Sequence, residues 1–568
     1  MKDRPANIAI IAIGLLLGVM LILSPVPARG QALPADDFME IIRTLADFKD
    51  RSSGTAGSRA SAAYIRERFT EIGLESVGSL FFDNTVLSHR KSILTLAGKD
   101  IEVPIAWLHS NAISPESTPE QGLSGPLVYV GDGDIGAFNG KPIEGAILLM
   151  EFDSGRNWLH AASLGAKALI YVDRETNSAK ALFQEKLELT PIRFPRFWMP
   201  IAQARALFGH FEASPGPLVS ESVGLTATNQ WETATGENVY GLIPGSDPKL
   251  SEELLILEAF YDSRTFVAGL SPGADAACGI ATLLQTARRL MQSPPARSIL
   301  IVATDGHAQA LAGMREMIWG IRERTKELRQ IQKDLRQSAS AAQKRIRLLK
   351  AVSTASGWLE KASDGQTGIE MKAALDERIK TEIDILSREL MRLRLKKQAP
   401  EIENTVKALA GERLALRRLS WLPSFSNLAE ADRRAVAPLI AKAMKDEEAV
   451  LSDANRQQKC LRSVNTFRSL VKSRELAAFV SLHLSSHGDG IGAFNQGWLY
   501  PLKPGVDRVN AYSRLDEVLR QAASDVQKAS GLQNMYKDTL RPSRLRPWES
   551  YFLDRPPLGG EVSSLAGY

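Results

Sequence analysis

The chain has 568 residues, 44% hydrophobic and 24% charged, so a large globular core can form. At roughly 150 residues per domain the length allows about three or four units. The formal net charge of +5 gives no ground for a nucleic-acid partner, and two cysteines, Cys278 and Cys460, exclude a disulfide framework beyond a single bridge.

The N-terminus reads as an export signal over residues 1–32. Lys2 and Arg4 precede an apolar run, Ile8 to Leu23, and Pro25 and Pro27 then break any helix. Gly30-Gln31-Ala32 offers small residues at a spacing that a signal peptidase accepts. The run is short against the about 20 residues of a membrane span, so cleavage after Ala32 is expected, with an uncleaved N-terminal anchor as the alternative. Either way the bulk of the chain is expected outside the cytoplasm, in the cell envelope or beyond it.

Residues 36–106 begin as helix, turn, helix. Phe38, Ile41, Ile42, Leu45 and Phe48 follow helical spacing, Ser52 to Ser58 is a Gly-rich break, and Ala60 to Ile72 resumes as a helix ending at Gly73. A Gly-rich loop before a helix can cradle phosphate, but no strand precedes this one and no Lys-Ser/Thr follows. From 107 to 232 the pattern is β-rich: Gly125 to Val130, Gly145 to Met150 and Ala166 to Val172 are apolar runs bounded by turn residues.

Residues 235–313 read as an α/β unit. Leu254 to Phe260 and Ser298 to Thr304 are continuous apolar strands, as in a sheet covered on both faces, and Gly279 to Met291 is the helix between them. Parallel pairing follows. Residues 314–474 are rich in helix formers, and Arg315 to Glu475 carries about twelve more basic than acidic residues. Leu328, Ile331, Leu335, Ala342, Ile346 and Leu349, and then Ile379, Ile383, Leu386, Leu390 and Leu393, approximate coiled-coil stripes. An antiparallel helical hairpin with shorter helices is expected. Its basic faces are ordinary solvated surface or a contact for anionic lipid headgroups or envelope polymers. In 475–568 another buried strand is expected at Ala477 to Leu484.

Three phrases carry a family resemblance: Leu254-Leu-Ile-Leu-Glu-Ala-Phe-Tyr-Asp-Ser263, Pro272-Gly-Ala-Asp-Ala-Ala-Cys-Gly279 and Arg297-Ser-Ile-Leu-Ile-Val-Ala-Thr-Asp-Gly-His-Ala308. Together they resemble the core of the zinc aminopeptidases, the family that also contains glutamate carboxypeptidase and the transferrin receptor. Gly54-Thr-Ala-Gly57 is similar to that family's N-terminal turn, and residues 140–170 are similar to its inserted protease-associated domain. The resemblance implies a three-layer α-β-α zinc-exopeptidase-like domain with a mixed, mostly parallel sheet. To this are added a β-rich protease-associated domain and a long helical insertion that the family pattern lacks.

The resemblance also implies two zinc ions bridged by a carboxylate and a water, with a glutamate as general base. Phe260 stands where the first ligand histidine is expected, and Asp262 is the carboxylate that would orient it or, failing that, cap the next turn. Asp275 falls on the bridging carboxylate in a motif one residue shorter than the family's; its other reading is an N-cap of the following helix. His307 and Ala308 replace a pair of glutamates, the general base and a ligand. His307 is a base, a ligand or a polar strand-end residue. His483 stands at an aspartate ligand position, with hydrogen-bonded core histidine as the alternative, and His487 lies just beyond. The last ligand histidine would follow the turn resembled by Ala566-Gly567-Tyr568, so the sequence is a fragment or that element is lost.

Zinc usually takes about three protein ligands at a catalytic site. With Phe260 and Ala308 unable to donate a lone pair, the expectation is a peptidase-fold protein that binds peptides or proteins without hydrolysing them. The alternative is an exopeptidase with a remodelled single-zinc site of Asp275, His307 and His483.

Overall fold

The computed structural model describes residues 35–484 except 97–100, 112–113, 175–185, 187–190, 214–216, 264–265, 268–269, 271–272, 354–364, 396–399, 427 and 483, with five further residues between 521 and 528. The export signal therefore lies outside the described residues. No described helix is long and apolar enough to cross a membrane. The chain divides into two compact units, Met1–Arg322 with Ser463–Tyr568, and Glu323–Arg462.

The first unit runs through α1 (Ala35–Asp47), α2 (Ala56–Ile72), β1 (Glu75–Leu96), β2 (Ile101–Pro104), β3 (Ala106–Trp107) and β4 (Leu123–Tyr129). It continues with β5 (Ile147–Glu151), α3 (Trp158–Ser163), β6 (Ala168–Asp173), β7 (Arg196–Pro200), α4 (Ile201–Phe208) and β8 (Ser220–Ile243). Then come β9 (Glu253–Phe260), α5 (Cys278–Gln292), β10 (Ser298–Thr304) and α6 (Ala312–Arg322). The strands form a mixed sheet in the order β11-β9-β10-β8-β4-β5-β6-β7-β3, where β11 is Glu475–Ser481, and β1 pairs with β8.

β9 and β10 pair in parallel, with Phe260 opposite Thr304. Their side chains alternate between two cores. Leu255, Leu257, Ala259 and Ile301 pack with Ile42, Ile65, Phe69 and Leu283 of α1, α2 and α5. Leu254, Ile256, Leu300 and Val302 pack with Met314 and Met317 of α6 and with Val464 and Phe467. Helices on both faces make the α-β-α layering, and continuous apolar strands follow from that double cover. β11 is only half-buried, not the buried strand expected, because among the described residues it is the edge of the sheet, paired on β9 alone.

Local sequence sets the helix ends. Thr55 caps α2 by accepting the Ser58 N–H, and Gly73 ends it at φ 90°, with the Leu74 N–H returning to the Phe69 carbonyl. β1 and β8 form a long antiparallel ribbon, Glu75 opposite Leu242 at one end and Leu96 opposite Val223 at the other. It carries the chain from the β9/β10 region to the parallel strands β4, β5, β6 and β7.

Beside β7, Glu116 and Arg196 are buried together, 3.7 Å apart. Glu116 accepts hydrogen bonds from the Ser110 hydroxyl and the Arg196 N–H, and the Arg196 guanidinium lies over the Trp158 ring. Burial nonetheless raises the Glu116 carboxyl to about 7, outweighing the attraction of Arg196.

The second unit contains α7 (Thr325–Val352), α8 (Gly365–Leu395), α9 (Pro400–Trp421) and most of α10 (Glu430–Lys472), whose residues from Ser463 onward belong to the first unit. Leu349, Met371, Leu375, Ile379, Leu416, Leu419, Phe425 and Val436 form its own core. The stripe on α7 is buried at Leu328 and from Ala342 onward, whereas Ile331 is exposed and Leu335 is half-buried. Both cysteines are buried and outside any disulfide, one in each unit.

Two outcomes follow from these cores. Leu375→Ala should cost about 2–5 kcal/mol and speed amide exchange in α8 by at least about 30-fold, leaving β9 and β10 unchanged. The folded state holds the Glu116 proton more tightly than the unfolded chain, whose value is near 4.5. The stability this gives is full below that value and is lost as pH rises toward 7. Glu116→Gln should therefore flatten the fall in unfolding free energy between about pH 4.5 and 7, by up to roughly one proton's slope.

Candidate functional site

The C-terminal ends of β9 and β10 lie side by side and bring Phe260, Asp262, Asp305, His307 and Ala308 together. Ligands of open α/β sheets gather at such carboxyl edges. The Phe260 and His307 rings stack, 3.9 Å between centroids and 19° between planes. The position of the expected ligand histidine and that of the expected general base are thus filled by one stacked pair. Ala308 contributes only a methyl group beside it.

Asp262 is buried and turned to the backbone of the adjoining loop. Its Oδ1 accepts the His307 N–H at 3.0 Å and its Oδ2 accepts the Ala308 N–H at 3.4 Å. Burial, then the nearby Asp305 charge, push its carboxyl up; these two amides and Arg51 act in the opposite direction.

Asp305 ends β10 and ties four segments together. Its Oδ2 accepts the hydroxyls of Ser53 at 3.0 Å and Ser58 at 3.3 Å, and its Oδ1 accepts the Gly306 N–H at 2.7 Å. Its own N–H donates to Asn238 Oδ1 at 3.0 Å, and Asn238 Nδ2 reaches the Gly313 carbonyl. Burial raises this carboxyl too, against the lowering effect of its serine and amide donors.

Arg51 completes the arrangement. Wholly buried, it donates from Nε to the Tyr261 carbonyl, from Nη1 to Leu45 and from Nη2 to Ala276, at 3.2, 2.7 and 3.2 Å. Burial lowers its guanidinium to about 10, while Asp262 and Asp50 hold it up. Sequence reasoning passed over Arg51 and Asp305. The available signal was an arginine directly before a Ser-Ser-Gly loop, with no apolar pattern to mark it as buried.

The loop after β10 is strained. Gly306 has φ 73°, and Ala310 and Leu311 have φ 53° and 59°, where a side chain crowds the backbone. It is held by the Leu311 N–H to the His307 carbonyl and the Gly313 N–H to the Asp305 carbonyl.

Asp275 lies in a short 3-10 turn, Gly273–Ala276, before α5. It is not the N-cap: that position is Ala277, without a side-chain cap, because the turn intervenes between Asp275 and the helix. His483 and His487 lie outside the described residues. Among the described residues no group of three or more His, Cys, Asp and Glu is placed to hold a metal ion. Two of the described side chains at the positions that the resemblance assigns to the zinc site cannot hold zinc. Phe260 and Ala308 have no donor atoms, and both Asp262 oxygens take backbone N–H groups.

A buried carboxylate not anticipated from sequence sits deeper on β9. Glu258 accepts the Thr304 hydroxyl and, at 2.6 Å, the Ser481 hydroxyl, joining β10 and β11 across the central strand.

Among curated proteins no relative matches this sequence. Solved structures similar to it include BSAP, a zinc aminopeptidase from Bacillus subtilis, at 22% identity and TM-score 0.35, covering 52% of this chain and 66% of that one. The aminopeptidase from Aneurinibacillus sp. strain AM-1 is 20% identical, with TM-score 0.30, covering 52% and 67%. A peptidase M28 precursor from Shewanella amazonensis SB2B is 16% identical, with TM-score 0.35, covering 54% and 70%. The match to the first two thus spans about two-thirds of their length. The family model for Peptidase family M28 matches residues 238–378. It is over this stretch, which holds β9, α5 and β10, that the chain carries the Peptidase family M28 pattern and resembles the zinc exopeptidases.

Proposed function

We propose that this chain is an exported relative of the zinc exopeptidases that binds peptides or proteins without hydrolysing them. The observation that carries the reading is the Phe260–His307 stack. An aromatic ring covers the imidazole that would otherwise serve as base, in a slot that the family resemblance assigns to a zinc ligand. Ala308 offers no donor at a second position, and Asp262 is turned to the amides of His307 and Ala308. A dication left with so few donors would lose hydration without adequate replacement. Export is supported by Lys2 and Arg4 ahead of the apolar run Ile8 to Leu23. The β-rich segment 107–232, read as protease-associated, offers a binding surface in this proposal.

The reading has a direct test. The purified chain, dialysed against micromolar zinc, should retain well under one ion per chain by elemental analysis. It should also release no chromophore from aminoacyl anilides. One tightly held zinc per chain with turnover that falls in His307→Ala would establish the remodelled exopeptidase instead.

If Asp305 serves the scaffold, its loss should be felt as instability. Asp305→Ala strands the Ser53 and Ser58 hydroxyls and the Gly306 amide, and should lower unfolding free energy by roughly 3 kcal/mol in chemical denaturation. A change within about 0.5 kcal/mol, the range of an ordinary surface substitution, would remove that role.

A further inference from the structure

The helical unit carries more than the whole of the chain's net positive charge. Glu323–Arg462 holds 29 Lys and Arg against 20 Asp and Glu, although the whole chain is only +5. Within it, residues 386–421, the end of α8 and all of α9, hold nine basic residues against four acidic ones.

The same stretch exposes large apolar side chains. Trp421 is 76% exposed, Leu414 70%, Met391 68% and Leu395 80%. On α9, Leu414, Arg417, Arg418 and Trp421 fall at positions i, i+3, i+4 and i+7, which is one helical face. The opposite face of α9, with Leu416 and Leu419, is buried in the unit's core. The guanidinium of Arg417 lies 5.7 Å from the Trp421 ring centroid. On α8, Met391 and Leu395 stand four residues apart on its exposed side while Leu386 and Leu390 are buried.

Soluble surfaces disfavour an exposed tryptophan beside exposed leucines, and a helix face that alternates them with arginines has two chemistries to satisfy. Apolar tips and an indole seek the boundary between acyl chains and headgroups, and arginines on the same face meet phosphates. Charge complementarity selects the partner: a surface that is anionic and has an apolar interior within reach. The apolar run behind Lys2 and Arg4, read above as an export signal, would take the same chain past a membrane.

We propose that the exposed face of α9, with the end of α8, docks on an anionic lipid surface. Leu414, Trp421, Met391 and Leu395 enter the headgroup region, and Arg417 and Arg418 pair with lipid phosphates. Arg418 also has Asp432 as a partner within the unit, which holds it at the edge of the face.

The test is co-sedimentation of the full chain with vesicles of phosphatidylglycerol and phosphatidylethanolamine, and with neutral phosphatidylcholine vesicles. The quantity read is the ratio of anionic to neutral binding and its change on substitution, and the contribution of the N-terminal run, with Lys2 and Arg4, cancels in that change. At about 1 kcal/mol for each basic residue near the surface, the ratio should exceed about 10 for the native chain and fall at least about 10-fold in Arg417→Glu/Arg418→Glu. Leu414→Ser/Trp421→Ser should weaken binding to anionic vesicles at least about 10-fold from the lost apolar contact. Raising salt to about 0.5 M should lower the ratio toward one. Circular dichroism checks that both variants keep their helices; if they unfold, Leu414→Ala and Arg417→Gln replace them and should act in the same direction. A ratio near one for the native chain would overturn the proposal. So would variants that bind like the native chain, or a native dimer that the Leu414→Ser/Trp421→Ser change alone dissolves.

Discussion

Two carboxylates and a guanidinium buried at the carboxyl ends of adjacent parallel strands constrain everything around them. Charges taken out of water must be met by hydrogen bonds, or the fold does not hold. Asp305 is met by the Ser53 and Ser58 hydroxyls and the Gly306 amide, and Asp262 by the amides of His307 and Ala308. Arg51 meets three backbone carbonyls. These requirements draw the Ser52 to Ser58 loop down onto the strand ends. Gly57 is needed there because a Cβ would stand 2.1 Å from the Asp50 carbonyl oxygen.

The same network explains the shape of the loop after β10. Asp262 captures the first two amides beyond Gly306, so the chain must turn tightly before α6 begins at Ala312. The turn is made with Ala310 and Leu311 in the left-handed region, at roughly 1–2 kcal/mol each. Once His307 N–H is fixed on Asp262, its ring comes to lie against Phe260 on the neighbouring strand. Ring stacking is therefore a consequence of how the loop is tethered, and it turns a candidate base into part of a packed surface.

Much of this was legible in the sequence, and the reasons are physical. β9, α5 and β10 announce themselves because a sheet covered on both faces demands unbroken apolar runs, and those runs are conspicuous. Gly73 marks the end of α2 by capping chemistry, whereas the helix begins at Ala56 and not at Ala60, because Thr55 caps it from within a stretch whose glycines read as a break. Asp275 misled as an N-cap because a 3-10 turn can intervene between a capping-type residue and its helix without altering composition. Ile331 and Leu335 fit a coiled-coil stripe by spacing, yet they are not buried, since periodicity states which face is apolar but not how far a neighbouring helix extends along it. Arg51 and Glu258 have no sequence pattern that marks them as buried. Each is a lone charged residue whose partners, mainly backbone carbonyls in one case and two hydroxyls in the other, are brought close only by the tertiary fold.

The site that the family resemblance implies would draw its metal ligands from these strand ends, whereas Asp262, Asp305 and Arg51 are hydrogen-bonded to the backbone around them. If zinc is lost, a cluster of carboxylates and imidazoles is left with no dication to balance it, and like charges at close range are costly. Burial raises the carboxyls of both Asp262 and Asp305, and the Asp305 charge adds to the rise at Asp262. Alanine at 308 and phenylalanine at 260, where the resemblance implies glutamate and histidine, supply no donor atoms and take no part through their side chains in the hydrogen bonds of Asp262, Asp305 and Arg51. Selection for stability and selection for hydrolysis thus act on different atoms of the same strand ends. The proposed binding role requires only the first, at Asp305 and Arg51, whose hydrogen bonds involve neither the Phe260 ring nor the Ala308 methyl group.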